Sequence, residues 1–190
     1  MLGSNLRGQA PAIGGGSSPS RTGLVPGWPL AVFRIAFGLL YLDMSLQKAP
    51  WVVSEGHRFG WLYGWIQQEL AHPTFGWYAA FLKSVMLPHF EAFGMLTFVT
   101  EVALALGLVL GLLTRLTSLG GFLWQVNIAA GAYSVPGEWY WIWPLLTLPQ
   151  FCFAFSGAGR ILGLDRWLEP ALRAYADTGA GWARLLRYAV

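Results

Sequence analysis

The chain has 190 residues, of which 55% are hydrophobic and only 11% charged. An ordinary globular domain carries about 25% charged residues, so too few are present here to coat a water-facing surface. Twelve Lys and Arg against nine Asp and Glu give a net charge of +3, with no basic run interleaved with aromatics, which excludes a nucleic-acid footprint. A single cysteine, Cys152, excludes an intrachain disulfide, and no Cys/His grouping has metal-ligand spacing, so no metal site is expected. Eleven tryptophans fit a chain held in lipid, because Trp collects at the membrane–water boundary.

Residues 1–27 are rich in Gly, Ser and Pro and have no apolar period. Such a segment cannot bury enough surface to offset its ordering entropy and is expected to be disordered. It lacks the charged start and apolar run of a signal peptide. Four apolar stretches follow, at about 29–47, 90–113, 116–135 and 139–155. Each is close to the roughly 17–25 residues that cross hydrocarbon as a helix, and none alternates with period two, which argues against a barrel. The sequence therefore predicts an all-α, polytopic membrane protein: a bundle of four transmembrane helices over 28–168.

Between the first two stretches lie about forty residues, Lys48–His89, rich in aromatics. Two short amphipathic helices, around Trp61–Leu70 and Phe75–Val85, are expected there on either side of Pro73. They would lie in the interface or cap the bundle. Thr114-Arg115 alone joins the second and third stretches, making them antiparallel neighbours. Residues 169–190 read as an amphipathic basic tail. With four crossings, one side of the membrane carries Arg7, Arg21, Arg115, Arg160, Arg166, Arg173, Arg184 and Arg187, and the other only Lys48, Arg58 and Lys83. The positive-inside rule then puts both termini in the cytoplasm, in a multi-pass cell-membrane protein.

Charges inside a span cost about 2.5–3.5 kcal/mol on insertion scales and need partners. At about 1.5 Å per residue, Arg34 falls roughly 8 Å from the cytoplasmic side, Glu101 and Asn127 roughly 16–18 Å and Asp43 roughly 21 Å. Gln125 belongs to the same middle layer. One reading pairs Arg34 with Glu101 and lets the amides bridge helices. The other turns Glu101 and Asp43 toward a cavity that handles protons or a polar ligand head. On the outer side Lys48, His57, Arg58, Lys83 and His89 offer positive charge to an anion, diluted by Glu55, Glu69 and Glu91, or else simply anchor the interface. Gly107-x-x-x-Gly111 and the face Gly120, Trp124, Asn127, Gly131, Ser134 read as packing seams. Gly157-x-Gly159-x-x-x-Gly163 has the wrong spacing for a dinucleotide fingerprint, and no nucleotide, zinc-protease, serine-hydrolase, redox-dithiol or haem-attachment motif is present. Redox chemistry would need a diffusible carrier or a partner protein.

Three segments together resemble the DoxX/DoxD family. Leu30–Lys48 (LAVFRIAFGLLYLDMSLQK) resembles its first helix through Arg34, Gly38 and Lys48. Thr100–Arg115 (TEVALALGLVLGLLTR) resembles its second through Glu101, Gly107, Gly111, Thr114 and Arg115. Gly157–Leu168 (GAGRILGLDRWL) is similar to the exit segment of the DoxD branch, as is the long outer loop. The resemblance implies a membrane subunit related to the DoxD component of thiosulfate:quinone oxidoreductase, which oxidises two thiosulfates to tetrathionate and reduces a membrane quinone. It also implies a DoxA-like or other redox partner; self-association stays open. Matching chemistry to residue type, Glu101 is expected to exchange protons, Arg34 and Asn127 to meet the quinone, and Lys48, Arg58 and His89 to offset the charge of the anion. The alternative is a non-catalytic membrane anchor that docks a soluble redox enzyme.

Overall fold

A computed structural model describes residues 27–190 and is overwhelmingly helical. Apart from Gly27, the expected disorder of 1–27 lies outside the described residues. Four long helices, α1 (Trp28–Gln47), α4 (Phe90–Leu110), α5 (Thr114–Ala132) and α6 (Ile142–Ser156), form the body. α1 packs along α4, α5 packs along α6, and α4 meets α5. Among the described residues two helical stretches, α1 and the run Gly76–Leu110, are long and apolar enough to cross a membrane; α6 is apolar but has only 15 residues.

Polarity is distributed inside out. Outward faces carry Val32, Phe33 and Leu39 on α1, Leu96, Val99 and Leu106 on α4, Leu116, Leu123 and Val126 on α5, and Leu145, Leu148 and Phe151 on α6, all exposed. Arg34, Ser45, Lys48, Glu101, Ser118, Gln125 and Gln150 are buried. Water would penalise the first set and lipid would penalise the second, so the arrangement suits hydrocarbon surroundings. Inward positions follow helical spacing: Ala31, Arg34, Gly38, Tyr41, Ser45 and Lys48 along α1, and Phe90, Gly94, Thr97, Glu101, Leu104 and Leu108 along α4.

The segment between α1 and α4 begins with a two-stranded hairpin, β1 (Val53–Ser54) against β2 (His57–Arg58), which the sequence reading does not anticipate. α2 (Leu62–Ala71) follows. α3 (Gly76–Phe81) then runs through a wide π-type turn, Leu82–Met86, and a tight turn, Leu87–His89, directly into α4. Pro88 lacks an N–H and cannot continue regular α pairing, so the tight turn that contains it and the π-type turn before it absorb the mismatch and the helical path continues. Phe59, Leu62, Ile66, Tyr78, Leu82 and Phe90 make one buried cluster that seats α2 and α3 on the start of α4.

Beyond α6, a short exit segment leads to α7 (Asp165–Asp177) and α8 (Gly181–Leu186). α7 passes through position 168 without a break. Leu172, Ala176, Ala183 and Val190 cluster against Leu113 at the α4–α5 corner. Glu169 binds Arg160 at 2.6 Å and also pairs with Arg173, tying the exit segment to α7.

Candidate functional site

Two polar assemblies occupy opposite ends of the α1–α4 interface. At the α4–α5 corner the chain reverses in a few residues, leaving helix-end groups unpaired. Gly111 adopts φ +61 and ends α4. The fully buried Arg34 donates from Nη1 to the Leu108 carbonyl and from Nη2 to that of Leu162, the latter at 3.0 Å. Leu164 N and Asp165 N reach the Leu110 and Gly111 carbonyls at 3.0 and 2.9 Å. Asp165, also fully buried, accepts from Leu113 N at 2.7 Å and Thr114 N at 2.8 Å, capping α5 from a distant segment. A cation thus sits at a helix C-terminus and an anion at a helix N-terminus, each on the side the helix dipole favours. Any side chain at Gly111 would meet Arg34 Nη1 at 2.5 Å and Gly163 at 2.7 Å.

The other end is hollow. A cavity of about 800 Å³ lies among α1–α6 near the end of α1, within the size range of small-molecule sites. Its walls are aromatic, with Trp61, Trp65, Tyr78, Phe81, Trp124 and Trp143 among them. Lys48 reaches in from the end of α1 and its Nζ stands 2.5 Å from Glu101 Oε1. Lys48 is 4% and Glu101 2% exposed, and the ammonium also lies 5.1 Å from the Trp61 ring centre. Trp124 Nε1 donates to the same Glu101 oxygen at 3.4 Å. Glu101 Oε2 and Trp143 Nε1, both buried, have no hydrogen-bond partner among the described residues. A buried carboxylate oxygen and indole N–H left without partners cost free energy, and in a cavity wall they are the groups a ligand would satisfy.

In the cavity lining, Tyr41 is a hub. Its hydroxyl accepts from Gln125 Nε2 at 3.0 Å and Gln150 Nε2 at 2.8 Å, joining α1, α5 and α6. On the far wall the Tyr78 hydroxyl donates to Asn127 Oδ1 at 3.4 Å. Glu69, buried on the α2 stripe Leu62, Ile66, Glu69, completes that wall, and burial pushes its carboxyl up to about 7.

The structure places Glu101 and Asn127 in the cavity wall, but Arg34 is not Glu101's partner. Arg34 is held by the Leu108 carbonyl near the end of α4 and the Leu162 carbonyl of the exit segment, and Lys48 takes Glu101. Asp43 is exposed and accepts from Gln47 at 2.8 Å, outside the cavity. Of the three outer cations, Lys48 is buried, Arg58 is exposed and bonded to Glu91 at 3.2 Å, and His89 is exposed with Nδ1 3.0 Å from the Val85 carbonyl. They form no joint cluster. Sequence reasoning overlooked Tyr41, Trp143, Gln150 and Asp165, and read Glu69 only as a charge diluting the outer field. The three-four spacing Arg34, Gly38, Tyr41, Ser45, Lys48 was a readable signal that Lys48 faces inward with Tyr41.

The family model described as "TQO small subunit DoxD" matches residues 30–180. No curated protein and no solved structure matches the chain.

Proposed function

The chain belongs to the DoxD family, and on that premise we propose that it is the quinone-binding membrane subunit of a thiosulfate-oxidising enzyme. In this reading α1, α4, α5 and α6 all cross the bilayer, both termini face the cytoplasm, and the aromatic cavity opens from the outer half of the membrane. The supporting observation is the buried Lys48–Glu101 pair with an unpartnered Glu101 oxygen inside an aromatic chamber. A flat, neutral ring bearing two oxygens meets these needs: the ring lies against Trp side chains, a carbonyl oxygen accepts from Trp143 Nε1, and the hydroxyl formed on reduction donates to Glu101 Oε2.

Charge distinguishes the two substrates. The cavity wall holds three carboxyl groups, Glu69, Glu101 and Glu138, and one cation, Lys48. The one cation is already paired with Glu101, so a dianion such as thiosulfate finds no free counter-charge there, whereas a neutral quinone needs none. Thiosulfate is therefore oxidised outside the chamber, at the outer face where Arg58 and His89 lie in solvent or on a partner subunit. When bound, quinone supplies the electron sink. The protein's share is to hold it against the tryptophans, exclude water, and pass a proton through Glu101, whose Lys48 partner keeps a mobile proton within one hydrogen bond. Arg34 acts at a distance in this scheme, fixing α1 against α4; Asn127 orients ligand from the opposite wall.

The test is thiosulfate-dependent reduction of a short-chain quinone analogue by the chain reconstituted with its redox partner. Quenching of the cavity tryptophans by the analogue, and loss of turnover in Glu101→Gln with the complex intact, are expected. A Glu101→Gln complex of full activity would instead support the anchor reading, in which the chain only docks a soluble enzyme.

A further inference from the structure

Quinone reduction consumes two protons, and the Lys48–Glu101 pair accounts for one. Building on the quinone reading above, we propose that Glu69 is the cavity's second proton donor, serving the side of the ligand opposite Glu101. Glu69 is 6% exposed and lines the same cavity as Glu101, from α2 rather than α4. Its position is built by the fold. Glu69 Oε2 lies so close to α5 that a Cβ at Gly131 would stand 2.4 Å from it and 2.8 Å from the Tyr78 ring. Glycine at 131 is what admits the carboxyl and the phenol side by side.

The groups around Glu69 are few. Trp65 lies on its own helix, Tyr78 on α3, and Asn127 on α5; the remaining ionisable cavity groups are Lys48 on α1, Glu101 on α4 and Glu138 on the turn before α6. Lys48 is committed to Glu101, and among the described residues no cation lies within ion-pair distance of Glu69. Burial without a counter-charge favours the neutral acid, which is why its carboxyl holds its proton up to about 7. A neutral acid beside an apolar chamber carries its own transferable proton, whereas Glu101 can only relay one held by Lys48. Two thiosulfates lose two electrons as an S–S bond forms between them. The quinone gains those two electrons and two protons, one through the Lys48–Glu101 pair and one from the Glu69 carboxyl. Both groups then regain a proton from water at the outer face.

The experiment compares wild type, Glu69→Gln and Glu69→Asp as full chains with the redox partner, in lipid nanodiscs. Tryptophan quenching reads binding of the quinone analogue, and steady-state rates read turnover against pH. The expected result is that Glu69→Gln binds the analogue within about twofold of wild type, while kcat falls about 100-fold at about pH 6. The wild-type decline as pH rises through about 7 should disappear in Glu69→Gln and persist in Glu69→Asp. A Glu69→Gln enzyme with wild-type kcat and pH profile overturns the assignment and leaves the cavity reading standing. A wild-type protein that does not bind the analogue removes both. Should Glu69→Gln fail to fold, infrared difference spectra of wild type decide. A protonated-carboxyl band that titrates near 7, responds to the analogue and shifts in Glu69→Asp supports the proposal; its absence overturns it.

Discussion

Lys48, at the end of α1, places its Nζ 2.5 Å from Oε1 of Glu101 in the middle of α4, and both side chains are buried. The pair joins helices 53 positions apart in sequence and closes one end of the cavity. Removing one member leaves an uncompensated charge in a low-dielectric site, at a cost of about 3–5 kcal/mol. Lys48→Met and Glu101→Leu should each lower the melting temperature in detergent sharply. The double variant should recover most of that loss while remaining inactive. Additive losses in the double-mutant cycle would show that the two residues are not coupled.

Tyr41 holds two amide side chains from different helices on one hydroxyl. Tyr41→Phe keeps the ring packing and deletes only the oxygen, so Gln125 and Gln150 each lose a buried acceptor. The penalty is about 1–3 kcal/mol for an unsatisfied buried group. Chemical unfolding should register it without loss of helix content in the folded state.

Gly111→Ala tests the corner where α4 turns into α5. The position has φ +61, and an added methyl meets Arg34 and Gly163. The left-handed backbone alone costs about 1–2 kcal/mol, and displacing Arg34 uncovers the Leu108 carbonyl as well. A lower melting temperature and faster proteolysis of the α7–α8 segment are expected. Asp165→Asn should weaken the same corner by about 1 kcal/mol, since an amide caps less well than a buried carboxylate at a helix N-terminus.

Glu69 also makes stability depend on pH. Its carboxyl titrates at about 7 in the folded chain, against 4.5 for an unperturbed glutamate. A raised acid favours the folded state while protonated, so its contribution is full below the unfolded value and is lost as pH rises through about 7. The span corresponds to on the order of 3 kcal/mol between about pH 4 and pH 8. Melting temperature should fall over that interval in wild type and stay flatter in Glu69→Gln, which should be the more stable of the two at high pH.

Much of the architecture was legible because lipid imposes one-dimensional rules. Too few charges, apolar runs of spanning length and a two-residue link between the second and third runs gave the helical class, the helix positions and the α4–α5 reversal directly from composition and spacing. The family motifs were legible too: Arg34, Glu101 and Gly111 stand out as a charge or a glycine in an apolar run. The hairpin escaped notice because two-residue strands carry no period, and the α3–α4 continuity because Pro88 signals a break that neighbouring turns absorb.

What one dimension could not give was partnership. Depth along an axis made Arg34 and Glu101 look like neighbours, yet depth ignores which way a side chain leaves its helix and what else competes for it. Only the packed chain shows the Leu108 and Leu162 carbonyls drawing Arg34 away, leaving Glu101 to Lys48. Glu69 looked like an outer-loop charge until α2 folded over the opening and Gly131 made room for it. The sequence by itself determined that this chain lives in lipid as helices carrying a few costly charges, because transfer free energy is a property of each residue. Tertiary structure decided which charges meet and where the hollow lies, because those depend on distances between segments that no local pattern encodes.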